Sequence, residues 1–170
     1  MKKTLAAILL TTAILLTTAL MLGCAAKAHF YPVQGPLMSQ TPLPVPTAKI
    51  TYGVTPHDLI VTLPDGEVCK GHWTIVKRGE VPGKTDAPGK TDAKDAATSP
   101  MQSDWDTVFG SGYYVAHVLG TKYYARTTAT GNRGTVLHVE IYVSGTEHEE
   151  RALRGVAHDN RDNLYKLTLD

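Results

Sequence analysis

The chain has 170 residues, of which 42% are hydrophobic and 19% are charged, and its formal net charge is +1. This near-neutral balance excludes a chain dominated by basic contacts to phosphates, so we expect no nucleic-acid partner. The length is enough for one hydrophobic core, and we expect one domain.

The N-terminus has the layout of a bacterial lipoprotein signal peptide. Two lysines give a positive start, residues 5–22 carry no charge, and the run ends at Cys24 after a glycine. Threonines dilute the run and no basic cluster follows it, which favours cleavage over a transmembrane anchor. We therefore expect residues 1–23 to be removed and Cys24 to carry diacylglyceryl and palmitate-type acyl groups that bind a membrane. Resemblance to Gram-negative lipoproteins, in which a residue other than aspartate after the cysteine permits export to the outer membrane, leads us to expect from Ala25 an outer-membrane protein that faces the periplasm.

Processing at this position changes the charge and the cysteine chemistry of the mature chain. Loss of Lys2 and Lys3 turns the net charge from +1 to −1. Acylation of Cys24 leaves Cys69 without an intrachain partner in a compartment that favours disulfides. We favour a buried inert thiol for Cys69, and a reactive or intermolecular thiol stays open.

Two stretches of the mature chain have an irregular composition. Residues 24–46 contain five prolines, which exclude a helix, disfavour a central strand and predict an extended arm. This arm is either a plain tether or docks on the domain through Phe30–Val33, and both alternatives stay open. Residues 79–103 repeat Pro-Gly-Lys-Thr-Asp-Ala twice and hold few apolar residues, which predicts a disordered insertion.

The remaining residues, within the domain 47–170, alternate between apolar and polar as strands do. In the clearest case the inward residues are Leu137, Val139, Ile141 and Val143, and the outward residues are His138, Glu140 and Tyr142. This pattern predicts an all-β fold, a single antiparallel sandwich or barrel of about seven or eight strands, with no helix after residue 23. The predicted strands are 50–52, 58–63, 67–77, 105–119, 122–129, 135–143, 151–157 and 164–169.

No catalytic, cofactor or metal motif is visible in the sequence. The chain has no Gly-x-Ser-x-Gly, its Gly-Lys-Thr triplets lack phosphate-loop spacing, and its histidines form no His-x-His or His-x-x-x-His pair. We therefore predict no catalytic residue, no metal ligand and no cofactor, and favour a binding role over an enzymatic one. Two alternatives remain: an envelope hydrolase acting on cell-wall material through Ser111 or an acid pair, and a metal site at His72, His138 and Glu140. The candidate acid pairs are Asp65 with Glu67 and Asp104 with Asp106, which by default are turn-flanking acids.

Aromatic residues form the best candidate binding surface. Tyr114 and Tyr124 lie in neighbouring predicted strands, and with Tyr142 they would form an exposed strip on the outer face. Exposed aromatic side chains with polar rims mark contact sites for sugars or proteins, so we expect an envelope protein or a glycan as partner. Ordinary cross-strand packing is the alternative.

Four segments follow the signal pattern: Phe30–Leu37, Leu63–Gly71, Gly131–Thr135 and Gly155–Asn160, the last leading to Leu164–Leu167. Together with the signal pattern, these segments resemble those of an uncharacterised group of proteobacterial lipoproteins. The resemblance spans most of the mature chain and implies a lipid-anchored small β domain, but it brings no activity with it. Asp162 stands where the resemblance leads us to expect a turn glycine.

Overall fold

The computed structural model describes residues 25–52, 56–77, 101–119, 121, 123–144 and 152–169. The expected signal segment, Cys24 and residues 79–100 of the expected insertion lie outside these ranges. Across the described ranges, no helix is long and apolar enough to cross a membrane. The elements are β1 (Ala25–Gln34), a 3₁₀ turn (Pro36–Ser39), β2 (Thr47–Tyr52), β3 (Pro56–Thr62), β4 (Val68–His72), β5 (Thr74–Lys77), α1 (Gln102–Phe109), a π-helical turn (Tyr114–Val118), β6 (Tyr123–Gly131), β7 (Val136–Ser144), β8 (Ala152–Asp159) and β9 (Leu164–Leu169).

Eight of the described strands close into an antiparallel barrel. Around the wall the order is β1, β2, β3, β4, β6, β7, β8 and β9, and β9 pairs with β1 to complete the circle. Strand β5 is additional and pairs with the free half of β6. The predicted all-β antiparallel fold is therefore confirmed, and of the two predicted architectures it is the barrel that forms.

The barrel closes where β4 meets β6. The strand predicted over 67–77 is interrupted at Trp73, yet it keeps one register along β6, because Lys70 pairs with Thr130 and Thr74 pairs with Arg126. A Cβ atom on Gly71 would lie 2.5 Å from Oγ1 of Thr127 and 2.8 Å from the backbone oxygen of residue 128. Glycine at this position therefore permits the close backbone approach that seals the wall.

Apolar side chains fill the interior of the barrel. An eight-stranded barrel is just wide enough for side chains to pack inside it, and here large rings such as Phe30 and Tyr165 meet edge to face with centroids 6.1 Å apart. Small residues such as Ala129 and Ala157 leave room for them. We call this set the inner cluster: Ala28, Phe30, Ala48, Ile50, Leu59, Val61, Leu63, Cys69, Trp73, Ala125, Ala129, Leu137, Val139, Ile141, Ala157, Tyr165 and Leu167.

The first strand corrects the prediction of a proline-rich arm over 24–46. Residues 25–34 form β1, which pairs with β2 on one side and with β9 on the other. The single proline of this strand, Pro32, lies beside a register irregularity against β9, where a missing N–H is tolerated. A plain tether is therefore wrong for 25–34, and Phe30 docks as part of the barrel core.

Helix α1 and the π-helical turn correct the strand predicted over 105–119 and the prediction that no helix follows residue 23. Trp105 and Phe109 are four residues apart, which is helical spacing, and their rings stack with centroids 5.5 Å apart. Gly110 has φ +110°, a conformation that ends the helix. The Asp106 carboxylate then accepts the backbone N–H of Tyr114 at 2.9 Å. Alternation over the few residues from Tyr113 onward fits a strand and a helical turn equally well.

Candidate functional site

The outer faces of β6, β7 and β8 carry a group of ionisable side chains. His138 of β7 lies opposite Thr128 of β6 on one side and His158 of β8 on the other. Two residues further along β7, Glu140 lies opposite Arg126. All of these positions alternate with inner-cluster residues, so their side chains point away from the core.

Helix α1 lies over part of this outer face and buries it. The indole N–H of Trp105 donates to the Glu140 carboxylate at 2.9 Å, and the two side chains are only 0% and 2% exposed. The Trp105 ring also meets the Tyr142 ring edge-on, with centroids 5.5 Å apart. We call the buried residues of this contact the outer cluster: Met101, Trp105, Tyr114, Val118, Tyr142 and Val156.

Beside α1 the outer face keeps an open cleft of about 260 Å³. The Asp104 carboxylate of the helix lies 3.7 Å from Nδ1 of His158. Burial raises the pKa of Asp104, and the charge on His158 opposes that shift. This α1 cleft therefore presents carboxyl and cationic groups side by side, which suits a polar ligand with groups of both kinds. Its lining residues are Met101, Asp104, Arg126, Thr127, His138, Val139, Glu140 and His158.

The tyrosines predicted to form an exposed strip are mostly buried. Tyr114 is 1% exposed and lies in the π-helical turn, not in a strand, while Tyr142 is 4% exposed beneath α1. The hydroxyl groups of Tyr142 and Tyr113 are 2.6 Å apart. Tyr124 is half-buried, and burial raises the pKa of both Tyr124 and Tyr142. Helix α1, which the sequence analysis missed, covers the face where the strip was expected.

The histidines predicted as possible metal ligands are not brought together. His72 of β4 pairs with Asp58 of β3, with Nδ1 and Oδ1 2.5 Å apart, whereas His138 and Glu140 belong to β7. Within the described ranges, no group of three histidine, cysteine, aspartate or glutamate side chains is placed to hold a metal ion. The alternative site at His72, His138 and Glu140 is therefore not assembled.

The residues proposed for hydrolysis are also separated. Ser111 is exposed in the turn after α1 and is not among the residues that line the α1 cleft. Of the acid pairs, Asp106 accepts the N–H of Tyr114 and Asp65 accepts the N–H of Glu67 at 2.9 Å. The carboxylates of Asp106 and Asp65 therefore stabilise turns. Among the acids of the two candidate pairs, Asp104 is the one that lies near a histidine.

A buried carboxylate closes one end of the barrel, and the sequence analysis treated it as a turn-flanking acid. Glu67 is 0% exposed and accepts the Thr135 hydroxyl at 2.6 Å, the Arg133 N–H at 2.8 Å and Nη2 of Arg161 at 3.0 Å. The hydrogen bond from the Thr135 side chain, more than any other contact, lowers the pKa of Glu67 to about 2. The Glu67 carboxylate therefore accepts hydrogen bonds from groups that hold the barrel end together.

A second carboxylate completes this polar end. Asp159 accepts the N–H of Asn163 at 2.9 Å and the Tyr165 hydroxyl at 2.7 Å. Asn163 in turn accepts the N–H of Leu37 at 2.9 Å, which ties the chain after β1 to the turn between β8 and β9. The segments that carry the sequence resemblance therefore meet at one end of the barrel and bind each other.

Cys69 lies inside the barrel next to this end. It is 0% exposed and free, and burial raises the pKa of its thiol to about 11. Because the thiolate is the reactive species, this environment favours the predicted inert thiol.

The chain was compared with known proteins by family, by sequence and by structure. No protein-family model matches it, and neither a curated protein nor a solved structure does.

Proposed function

We propose that this protein is a lipid-anchored module of the bacterial cell envelope. Cys24 attaches it to a membrane, the outer membrane facing the periplasm, and the barrel serves as a binding or structural module there. The partner is an envelope protein or a glycan. The proposal joins the N-terminal pattern of the sequence to the position of the first described strand.

The start of β1 is the observation that supports this proposal most directly. The first described strand begins at Ala25, the residue after the expected lipid attachment site. Cleavage before Cys24 would therefore keep every described residue of β1 in the mature chain. A signal segment that ended several residues inside β1 would destroy the pairing of Ala25 with Thr51 and of Ala26 with Ile50.

The packed interior supports an external binding surface. Phe30, Tyr165 and Trp73 occupy the space that a ligand would need inside a small barrel. Recognition would then use the outer wall, where the α1 cleft combines concavity with Asp104 and Arg126. We propose this cleft as the surface that meets the envelope partner.

Lipid attachment is tested by mass spectrometry of the N-terminal peptide from membrane fractions. We expect a peptide that starts at Cys24 and carries acyl groups, and we expect Cys24→Ser to abolish both acylation and membrane retention. An intact N-terminus, or an unmodified Cys24 on a membrane-free protein, would reject the proposal.

The binding surface is tested by cross-linking in intact cells with paired charge variants. Asp104→Ala with Arg126→Ala alters the α1 cleft, while Asp58→Ala with Lys70→Ala removes the same charges from β3 and β4. We expect the first pair to lose the cross-linked partner and the second pair to keep it. Equal capture by both pairs would exclude the cleft as the contact surface.

One observation keeps a hydrolase as the second candidate. Asp104 has a raised pKa and a histidine 3.7 Å away, and a carboxyl group of this kind can act as a general acid. If the α1 cleft acts on cell-wall material, purified protein should release soluble fragments from peptidoglycan, and Asp104→Asn should lose that release. Absence of fragments from wild-type protein would end this candidate.

A further inference from the structure

The outer wall of β1, β2 and β3 carries a second concave surface, on a different side from the α1 cleft. It is a groove of about 650 Å³ that begins at Ala25 and reaches Thr62. Lys27 of β1 and Lys49 of β2 are direct cross-strand partners in it, and both are exposed. Two like charges placed opposite each other are unfavourable on a bare sheet, so this pair fits a surface that receives an anion.

The charged side chains that line the groove are all basic. None of its described lining residues is a carboxylate, and Ile60 supplies an apolar side chain to its floor, whereas Ala28 and Ala48 point into the inner cluster. The full set is Ala25, Ala26, Lys27, Ala28, His29, Thr47, Ala48, Lys49, Ile60 and Thr62. The groove therefore combines an apolar base with two ammonium groups.

The same groove lies beside the expected lipid anchor. Consecutive Cα atoms are about 3.8 Å apart, so the backbone of Cys24 cannot leave the immediate neighbourhood of Ala25. Ala25 is held in the wall by its pairing with Thr51. Acyl chains on Cys24 would thus set the start of β1 at the bilayer surface, without the spacer expected from the proline-rich composition.

We propose that the Lys27–Lys49 groove binds the headgroups of anionic phospholipids in the leaflet that holds the Cys24 acyl chains. This inference rests on the proposed lipid attachment and adds an orientation to it. The anchored end of the barrel contacts the bilayer, and the polar end with Glu67 points away. Ten residues of β1 at about 3.3 Å each, tilted as barrel strands are, place the two ends about 25 Å apart.

The headgroup contact is tested with short-chain lipids that stay monomeric. Purified full chain is titrated with dihexanoyl phosphatidylglycerol, dihexanoyl phosphatidylcholine and inorganic phosphate, and amide shifts of β1 and β2 are followed by NMR. We expect saturable shifts around Lys27 and Lys49 with phosphatidylglycerol alone. A response to phosphate of equal strength would indicate a phosphate site and overturn the lipid assignment, and so would the absence of any response.

A pair of double variants separates the groove from net charge. Lys27→Gln with Lys49→Gln should weaken phosphatidylglycerol binding roughly 10-fold or more, since each lysine contributes about fivefold near an anionic surface. Lys70→Gln with Lys166→Gln removes the same charge from other parts of the wall and should leave binding unchanged. Equal losses in both double variants would reject the groove.

The orientation is tested on acylated protein in vesicles that contain phosphatidylglycerol. A fluorophore at Thr51→Cys, whose residue pairs with Ala25 at the start of β1, should be quenched by a headgroup quencher, and one at Gln34→Cys, at the other end of β1, should not. Equal quenching would contradict a fixed orientation. Unmodified Cys24 together with intact phosphatidylglycerol binding would reject lipid attachment but support the headgroup site. Acylated Cys24 without phosphatidylglycerol binding would support lipid attachment but reject the headgroup site.

Discussion

The inner and outer clusters lie on opposite sides of the same strands, and they differ in how they are covered. On β7, Leu137 and Val139 are buried by the other strands of the barrel, whereas Glu140 and Tyr142 are buried by α1. Strand alternation assigns a side chain to one face or the other. Whether the outward face meets water depends on what packs over it, and in this protein a helix does.

The two clusters also differ in where they place polar groups and in how those groups are hydrogen-bonded. The inner cluster is almost wholly apolar, and its carboxylates stand at the barrel end, where Glu67 and Asp159 receive several donors each. The outer cluster includes Tyr142 and covers Glu140, which accepts from Trp105. We therefore expect the inner side to control global stability and the outer side to control the attachment of α1.

The largest effect should come from the core residue of the strand predicted as a tether. Phe30→Ala should lower the free energy of unfolding by about 4 kcal/mol, because it leaves a cavity in the inner cluster. Urea denaturation followed by circular dichroism measures this change. The neighbouring Tyr31, which is 41% exposed, is the control, and Tyr31→Ala should cost less than about 1 kcal/mol. Similar values for both variants would contradict the placement of β1 in the barrel.

Glu67→Gln should give the second effect, a loss of about 3 kcal/mol, because it disrupts a buried charge with several donors. The folded-state pKa of Glu67, about 2, is below its ordinary value of 4.5, so this stabilisation is complete above pH 4.5 and disappears as the pH falls toward 2. Urea midpoints between pH 2 and 7 should show a steeper acid loss in the wild type than in Glu67→Gln. Asp58→Asn, on an exposed ion pair, is the control and should cost under about 1 kcal/mol. Parallel pH curves for the wild type and Glu67→Gln would exclude this role.

Trp105→Phe should cost about 2 kcal/mol, since it keeps a ring in the outer cluster but removes the donor to the Glu140 carboxylate. Hydrogen exchange is the measurement that separates the two sides. Amides of α1 should exchange faster in the variant, while those of β1 and β2 stay protected. Uniform acceleration across the barrel would show that the two clusters unfold as one unit.

The smallest effect concerns Asp104, whose pKa shifts in the direction opposite to that of Glu67. Burial raises it above the ordinary 3.8, so the folded state disfavours ionisation, and the associated stability is present below pH 3.8 and lost as the pH rises through the folded pKa. The free energy of unfolding should therefore be measured for both proteins at pH 3 and at pH 7. Relative to the wild type, Asp104→Asn should be more stable at pH 7 than at pH 3. A change of the opposite sign would mean that the pair with His158 outweighs burial.

Several features of the fold could be predicted from residues alone. The predicted strand 135–143 corresponds to Val136–Ser144, and Leu137, Val139 and Ile141 face inward as the alternation predicts. The prediction is wrong for Val143, which lies near the end of β7 and is 52% exposed. The resemblance led us to expect a glycine in place of Asp162, and the φ of +63° at Asp162 is the left-handed conformation that glycine favours. These features depend on neighbours in sequence, where local sterics and period-two burial act.

The wrong predictions concern segments whose structure depends on contacts with distant parts of the chain. Prolines in residues 25–46 indicated an arm, but Pro32 is tolerated because its partner strand carries a register irregularity at that point. The tyrosines on the outer face suggested a binding strip, but the helix that covers Tyr142 is separated from β7 in the sequence by the whole of β6. No local pattern reports that a neighbouring strand or helix will supply the missing partner.

The sequence by itself determined the strand periodicity and most of the inward faces. It also contains the N-terminal pattern, a charged start followed by an apolar run and a cysteine, that predicts lipid attachment at Cys24. The tertiary structure decided that the sheet closes and that residues 25–34 belong to its wall. It also decided that Glu67 is buried among donors from two turns, and that Asp104 meets His158 while Lys27 meets Lys49. The physical reason is range, because periodicity and turn chemistry operate over a few residues, whereas closure, burial of charge and the grouping of side chains into a cleft depend on contacts between strands far apart in the chain.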